Sequence, residues 1–119
     1  MLRVEEGRAT LSFAIDPKMH HAAGAAHGSI YFKALDDAAF FAANSVVEDV
    51  FVLTVSFTVY LLGSVVEGQV RATGRLTHRT GRLFFAESEL FDQDGNQIGR
   101  GSGTFIRSEI ALDADIGYV

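Results

Sequence analysis

Apolar residues recur at helical spacing between Ile30 and Ala43, and this segment contains neither proline nor glycine. Alanine, the strongest helix former, occupies five of its positions. Because apolar residues fall on almost every side, the predicted helix is expected to be buried, and it is too short and too charged to span a bilayer. Asp36 and Asp37 lie in its middle. Burying a carboxylate is costly unless it is paired or used, so both are candidates for chemistry.

Five other segments alternate between apolar and polar residues, which is typical of half-buried strands. The predicted strands are residues 7–15, 51–62, 67–78, 82–92 and 97–107. Short turns containing Gly81 and Asp94-Gly95 are typical of hairpins. We expect residues 108–119 to form a short tail. A run of strands with one segregated helix predicts an α+β fold, in which a five-stranded antiparallel sheet wraps around the long central helix.

A loop of small residues and histidines, residues 20–28, leads into the helix. Gly28 and Ser29 would lie at the helix N-terminus, where free backbone N–H groups and the positive dipole end can hold an anion or a developing oxyanion. Ser29 can also cap the helix. His21 and His27 are candidates for contacting a substrate or holding the loop. The histidine spacing matches no metal-binding motif, so we expect no metal.

Composition narrows the possible partners and the location of the chain. At 119 residues the chain is expected to form one domain, residues 1–119. A net charge of −5 makes nucleic acid an unfavourable partner. The chain has no cysteine, and its first residues lack the apolar run of a signal peptide. We therefore expect a cytoplasmic protein without a membrane partner.

The order of elements and the loop–helix segment together resemble the hot-dog fold thioesterases. The similarity is greatest to the phenylacetate-degradation and 4-hydroxybenzoyl-CoA thioesterase-like subgroup, and it covers residues 7–107. Its most specific part is His27-Gly28 followed by an acid nine residues after the histidine, in a small-residue helix ending near Asn44. The resemblance implies a hot-dog fold and an acyl-CoA substrate. Coenzyme A enters as part of that substrate, and no separate cofactor is implied.

The resemblance also implies roles for single residues. Asp36 occupies the place of the catalytic carboxylate, the Gly28 N–H polarises the thioester carbonyl, and Thr54 supports the reacting water. His21 stands where the family usually has asparagine, and Ser29 where it usually has glycine. A histidine beside Asp36 would titrate with it and make kcat/KM rise through roughly pH 6 to 7. The resemblance further implies a homodimer or a dimer-of-dimers tetramer, with Asp36 of one subunit facing Gly28 of the other.

Adjacent side chains on a helix point about 100° apart, so Asp36 and Asp37 cannot act at one spot. Whether Asp36 acts as general base or as nucleophile stays open. Arg79 and Arg82 are candidates for the phosphates of coenzyme A, because arginine matches phosphate well. Phe40 is a candidate for lining the acyl pocket.

Three functions fit these observations. The leading hypothesis is hydrolysis of an acyl-CoA thioester with an aromatic or medium-chain acyl group. The first alternative is a hot-dog domain that binds an acyl ligand without turnover. The second and weaker alternative is a hot-dog dehydratase or hydratase.

Overall fold

The computed structural model describes residues 2–15, 28–47, 50–63 and 68–111. Within them lie six strands and one helix: β1 (Leu2–Glu5), β2 (Arg8–Ile15), α1 (Gly28–Asn44), β3 (Val50–Leu61), β4 (Gly68–Arg79), β5 (Leu83–Phe91) and β6 (Gln97–Ala111). No helix in this part of the chain is long and apolar enough to cross a membrane.

The strands form one antiparallel sheet in the order β1-β2-β4-β5-β6-β3. Helix α1 lies against one face and contacts β2, β3, β4, β5 and β6. The α+β prediction is therefore confirmed. Among the described strands, β1 and β3 form the two edges of the sheet, and neither has a second neighbour.

The sheet has six strands rather than the predicted five. The additional strand, β1, is four exposed residues long, and this run is too short for its alternation of apolar and polar residues to predict a strand. It pairs with β2 through a tight turn in which Gly7 has φ of 75°, a conformation that favours glycine. The last strand also continues to Ala111, so residues 108–111 belong to β6 and not to a tail.

The helix sits unusually close to the middle of the sheet because Gly74 carries no side chain. A Cβ at Gly74 would collide with the carbonyl oxygen of Ala38. Ala38, Ala39 and Ala42 are fully buried on the same helix. Small residues on both elements thus let the helix backbone approach the sheet, which fixes the position of the whole helix relative to β4 and β5.

A bulge in β3 changes which of its side chains face the helix. Phe57 pairs with Gly103 and Thr54 pairs with Phe105, with a register shift between Thr54 and Ser56. Directly opposed residues of neighbouring strands project from the same face. Because Phe105 is fully buried beneath the helix, Thr54 lies on the helix-facing side together with Phe57. Strict alternation along the predicted strand 51–62 puts Thr54 and Phe57 on opposite faces; the structure puts them on the same face, because the bulge inserts one residue between them.

Candidate active site

The two flanks of α1 face opposite edges of the sheet. On one flank, the ring of Phe32 meets Phe57 of β3 edge-on, with centroids 5.6 Å apart. Asp36 follows Phe32 by one helical turn and lies on the same flank. On the other flank, Lys33 and Asp37 border a groove over Leu11 and Phe13 of β2. We call these the β3 flank and the β2 flank.

Asp36 is the carboxylate with the more unusual surroundings. Its Oδ1 atom is buried and has no hydrogen-bond partner among the described residues. Burial raises the pKa of the Asp36 carboxyl above its ordinary value, the negative charge of Asp37 adds to the rise, and the Lys33 ammonium partly offsets it. A carboxylate that is poorly solvated and unpaired is a stronger base than an ordinary one.

Asp37 has the ordinary surroundings of a surface acid. Its Oδ2 accepts a hydrogen bond from Lys33 Nζ at 3.0 Å, one helical turn away. The lysine side chain is largely exposed. The two adjacent acids thus differ in their surroundings: Asp36 has a buried oxygen without a partner, and Asp37 forms an ion pair with Lys33 at the surface.

Thr54 is an exposed residue of the edge strand β3, on the face that looks toward α1. The β3 flank of the helix looks toward the same edge, as the contact of Phe32 with Phe57 shows. The structure therefore brings Thr54 and Asp36 to one side of the molecule. The sequence pattern alone had not indicated this, because the bulge was not foreseen.

Gly28 begins α1, so its backbone N–H belongs to the first turn, whose donors have no partner within the helix. Ser29 lies in the same turn, and its side chain is outside the described part of the structure. His21 and His27 lie outside the described residues as well. Their predicted roles stay predictions.

Arg79 and Arg82 border the β4–β5 turn and are exposed. Phe84, next to this turn, packs with Ala43 near the end of the helix. Leu90 at the other end of β5 packs with Tyr31 near the helix start. Within one chain, the two arginines therefore lie at the end of the sheet remote from Gly28.

Phe40 follows Asp36 by one helical turn and is only partly buried. Its ring lies 5.4 Å from Phe41 and 6.5 Å from Phe105, centroid to centroid, and it packs on the core beneath the helix C-terminal half. The structure thus places Phe40 on the β3 flank but in contact with the core.

One buried polar residue was not among the predicted site residues. Ser88 is 2% exposed, and its Oγ has no partner among the described residues. The strand pattern could have revealed it, since Ser88 is the sole polar residue on a buried face formed with Phe84, Ala86 and Leu90. No group of three histidine or acidic side chains within residues 2–15, 28–47, 50–63 and 68–111 could hold a metal ion.

The sequence of residues 23–98 matches the thioesterase superfamily. This segment contains the whole of α1, the strands β3, β4 and β5, and the start of β6. The chain belongs to the thioesterase superfamily. No functionally curated protein matches the sequence.

Solved structures share the fold at low sequence identity. A conserved protein from Pseudomonas aeruginosa has 22% identity and a TM-score of 0.83, covering 89% of this chain and 85% of its own. The Escherichia coli PaaI protein from the phenylacetic acid degradation operon has 20% identity and a TM-score of 0.84, with 90% and 77% covered. A Streptococcus mutans protein bound to acetyl-CoA has 17% identity and a TM-score of 0.82, with 89% and 85% covered. The hot-dog fold predicted from the sequence is confirmed.

Proposed function

We propose that this thioesterase-superfamily protein hydrolyses an acyl-CoA thioester, with Asp36 as the catalytic carboxylate. The observation that carries the proposal is the buried, unpaired Oδ1 of Asp36 on a helix flank that faces an open sheet edge. Its raised pKa, caused first by burial, makes the ionised form a stronger base than an ordinary carboxylate, which favours proton transfer from an attacking water. The acetyl-CoA bound to the Streptococcus mutans neighbour supports coenzyme A thioesters as the substrate class.

As general base, Asp36 would take a proton from a water molecule whose oxygen attacks the thioester carbonyl carbon. The N–H of Gly28 at the helix start would stabilise the resulting oxyanion. Collapse of the intermediate breaks the carbon–sulfur bond, and the coenzyme A thiolate receives the proton. As nucleophile, Asp36 would form an acyl anhydride that water then cleaves, with the same products. Thr54, brought to the helix-facing side by the β3 bulge, would hold the attacking water in either route.

The free edge of β3 supports a dimer built around this site. Among the described strands, β3 pairs only with β6, and it exposes several large apolar side chains: Leu53, Val55, Tyr60 and Leu61, followed by the exposed Leu62 just beyond its end. A long exposed apolar edge strand invites pairing with another strand. Antiparallel pairing of β3 with its copy would set the two helices side by side in opposite directions, with their β3 flanks facing.

In such a dimer, Gly28 of one subunit would lie toward the helix C-terminal end of the other. That is the end at which Arg79 and Arg82 border the β4–β5 turn. Residues that are remote within one chain would thereby come together across the interface. The arginines would then be placed to meet the phosphates of coenzyme A bound at the shared site.

The direct test is release of free coenzyme A from a panel of acyl-CoA thioesters, measured with a thiol reagent. The panel spans acetyl-CoA, medium-chain acyl-CoAs of six to ten carbons, benzoyl-CoA and phenylacetyl-CoA. Turnover of at least one of these, lost in Asp36→Asn, supports the proposal. Calorimetric binding with no thiol release from any of them would instead identify a domain that binds acyl ligands without turnover.

A further inference from the structure

Ser88 is a buried hydroxyl in a place where an apolar residue would be expected. It lies on the helix-facing side of β5, 2% exposed, between Ala86 and Leu90 of the same face. Its Oγ has no hydrogen-bond partner within the described chain. An unpaired buried hydroxyl destabilises a fold, so such a group calls for an explanation.

The hydroxyl lies beside an aromatic ring that rests on glycines. A Cβ at Gly101 would stand 2.6 Å from Cζ of Phe57 and 3.0 Å from Oγ of Ser88. The ring and the hydroxyl therefore both lie against the Cα of Gly101. A Cβ at Gly103 would stand 2.6 Å from Cδ2 of Phe57. The two glycines thus leave a slot on the sheet surface, which the Phe57 ring fills. Ser88 Oγ lies at its inner wall.

The slot lies next to the β3 flank of α1. Phe57 meets Phe32 edge-on at 5.6 Å, Phe32 is 46% exposed, and Asp36 follows Phe32 by one turn. Among the described residues, Asp36 Oδ1 and Ser88 Oγ are the only two buried side-chain polar atoms without a partner. Ser88 Oγ lies beside the Phe57 ring, and Asp36 lies one helical turn from Phe32, the ring that contacts Phe57.

We propose that Ser88 is a specificity-determining residue, whose hydroxyl forms a hydrogen bond with a polar group at the far end of the acyl chain. The acyl chain enters beside Phe32 and takes the slot over Gly101 and Gly103 when the Phe57 side chain rotates. The inference rests on the proposed acyl-CoA substrate. The fold already leaves this hydroxyl unpaired, so a plain acyl chain gains nothing from it, whereas a hydroxylated chain gains a hydrogen bond; Ser88 therefore favours hydroxylated over plain acyl chains.

The test uses binding rather than turnover, so it does not depend on catalysis. Dissociation constants are measured by calorimetry in the Asp36→Asn background for two matched pairs: hexanoyl-CoA with 6-hydroxyhexanoyl-CoA, and octanoyl-CoA with 8-hydroxyoctanoyl-CoA. We expect the hydroxylated member to bind more tightly in at least one pair. Adding Ser88→Ala should reduce that preference about 3- to 10-fold, the range for one uncharged hydrogen bond. Ser88→Cys, a weaker donor of similar shape, should keep part of it.

The matched control is Ser102→Ala, which removes an exposed serine from the neighbouring strand β6 and should leave the preference unchanged. The thermal midpoint of Ser88→Ala should not fall, because the lost hydroxyl had no partner in the fold. Equal affinities within both pairs, or a preference that survives Ser88→Ala, would overturn the inference. Failure of the proposed function is a separate result, seen as absence of thiol release from the unmodified protein.

Discussion

The two flanks of α1 carry adjacent aspartates and give them different properties. On the β2 flank, Asp37 accepts a hydrogen bond from Lys33 at the surface. On the β3 flank, Asp36 has a buried oxygen without a partner and a pKa raised mainly by burial. The residue type is the same, so the environment alone separates them. A rotation of about 100° along the helix moves a carboxylate from a solvated, paired site to one suited to proton transfer.

The flanks also differ in what lies at the adjacent sheet edge. The β2 flank ends at β1, a strand of only four residues. The β3 flank ends at a strand of 12 residues with a row of exposed apolar side chains. The longer apolar edge is the better template for strand pairing. The unpaired acid and the strand with a free apolar edge therefore occur on the same side, as the proposed site shared between two subunits requires.

The largest expected effect is the loss of turnover in Asp36→Asn. The substitution keeps the shape of the side chain and removes its basicity, so kcat should fall by about 10²- to 10⁴-fold on whichever thioester is hydrolysed best. Asp37→Asn is the matched control and should retain most activity. The measurement is thiol release under saturating substrate.

The Asp36→Asn variant should be at least as stable as the unmodified protein at neutral pH. Because burial raises the folded-state pKa of Asp36, the folded protein holds this proton more tightly than the unfolded chain. Stability from this group is therefore present at low pH and lost as pH rises through the raised pKa. At neutral pH the thermal midpoint of Asp36→Asn should equal or exceed that of the unmodified protein. Loss of activity in Asp37→Asn with retention in Asp36→Asn would reverse the assignment of the flanks.

The next largest expected effect is weaker dimerisation when a charge is placed on the β3 edge of the sheet. Val55→Lys places a charge on the exposed edge of β3, and two copies of the charge would approach each other in a β3–β3 dimer. We expect the dimer dissociation constant to rise about 10- to 100-fold, since like charges at an interface are costly. Sedimentation velocity over a dilution series measures it, and activity should fall with the dimer fraction.

Val4→Lys is the control for that experiment, since Val4 is an exposed apolar residue on the opposite edge strand β1. It should change neither assembly nor activity. A monomeric Val55→Lys with full activity would mean that the site is complete within one chain. Dissociation caused by Val4→Lys instead would place the interface on the β2 flank.

The fold could be predicted largely from alternation and helical spacing, which report burial directly. β1 was not predicted, because Leu2 and Val4 alternate with Arg3 and Glu5 over four residues only, which is too short a run to distinguish a strand from chance. The bulge before Ser56 could not be predicted either, since an inserted residue leaves the sequence alternation unchanged while it turns Thr54 toward the helix. Such features depend on which strands pair and in which register, and these pairings join residues that are far apart in the sequence.

The acids at Asp36 and Asp37 could be found from the sequence, because charge inside an apolar helix is conspicuous. Their separation into unpaired and paired residues depends on Lys33 and on which flank meets β3, which the structure supplies. Alternation places Ser88 on one face with Phe84, Ala86 and Leu90, so its burial could be predicted from the sequence. The absence of a hydrogen-bond partner for its hydroxyl could not, because that depends on which groups the neighbouring elements bring near it.

A smaller effect is expected in the pH profile. The reaction needs ionised Asp36, so kcat/KM should rise as pH increases through the raised pKa of that carboxyl. Asp37→Asn removes a charge that raises this pKa and should shift the rising limb to lower pH. Lys33→Met removes a charge that lowers it and should shift the limb to higher pH. Profiles of kcat/KM on one substrate check both directions, and shifts of the same sign would exclude Asp36 as the titrating group.

The smallest expected effect concerns the Lys33–Asp37 ion pair. Its atoms are 3.0 Å apart, but the lysine side chain is 75% exposed, and lysine precedes the acid along the helix, the less favourable order. A double-mutant cycle with Lys33→Met and Asp37→Asn, measured by urea unfolding, should give a coupling of about 0.3 to 0.5 kcal/mol or less. Raised salt should reduce it further. A coupling above about 1 kcal/mol would exceed the usual range for exposed pairs. Asp37 would then not be an ordinary surface acid with a weak ion pair. The two aspartates would differ only in the burial of Asp36.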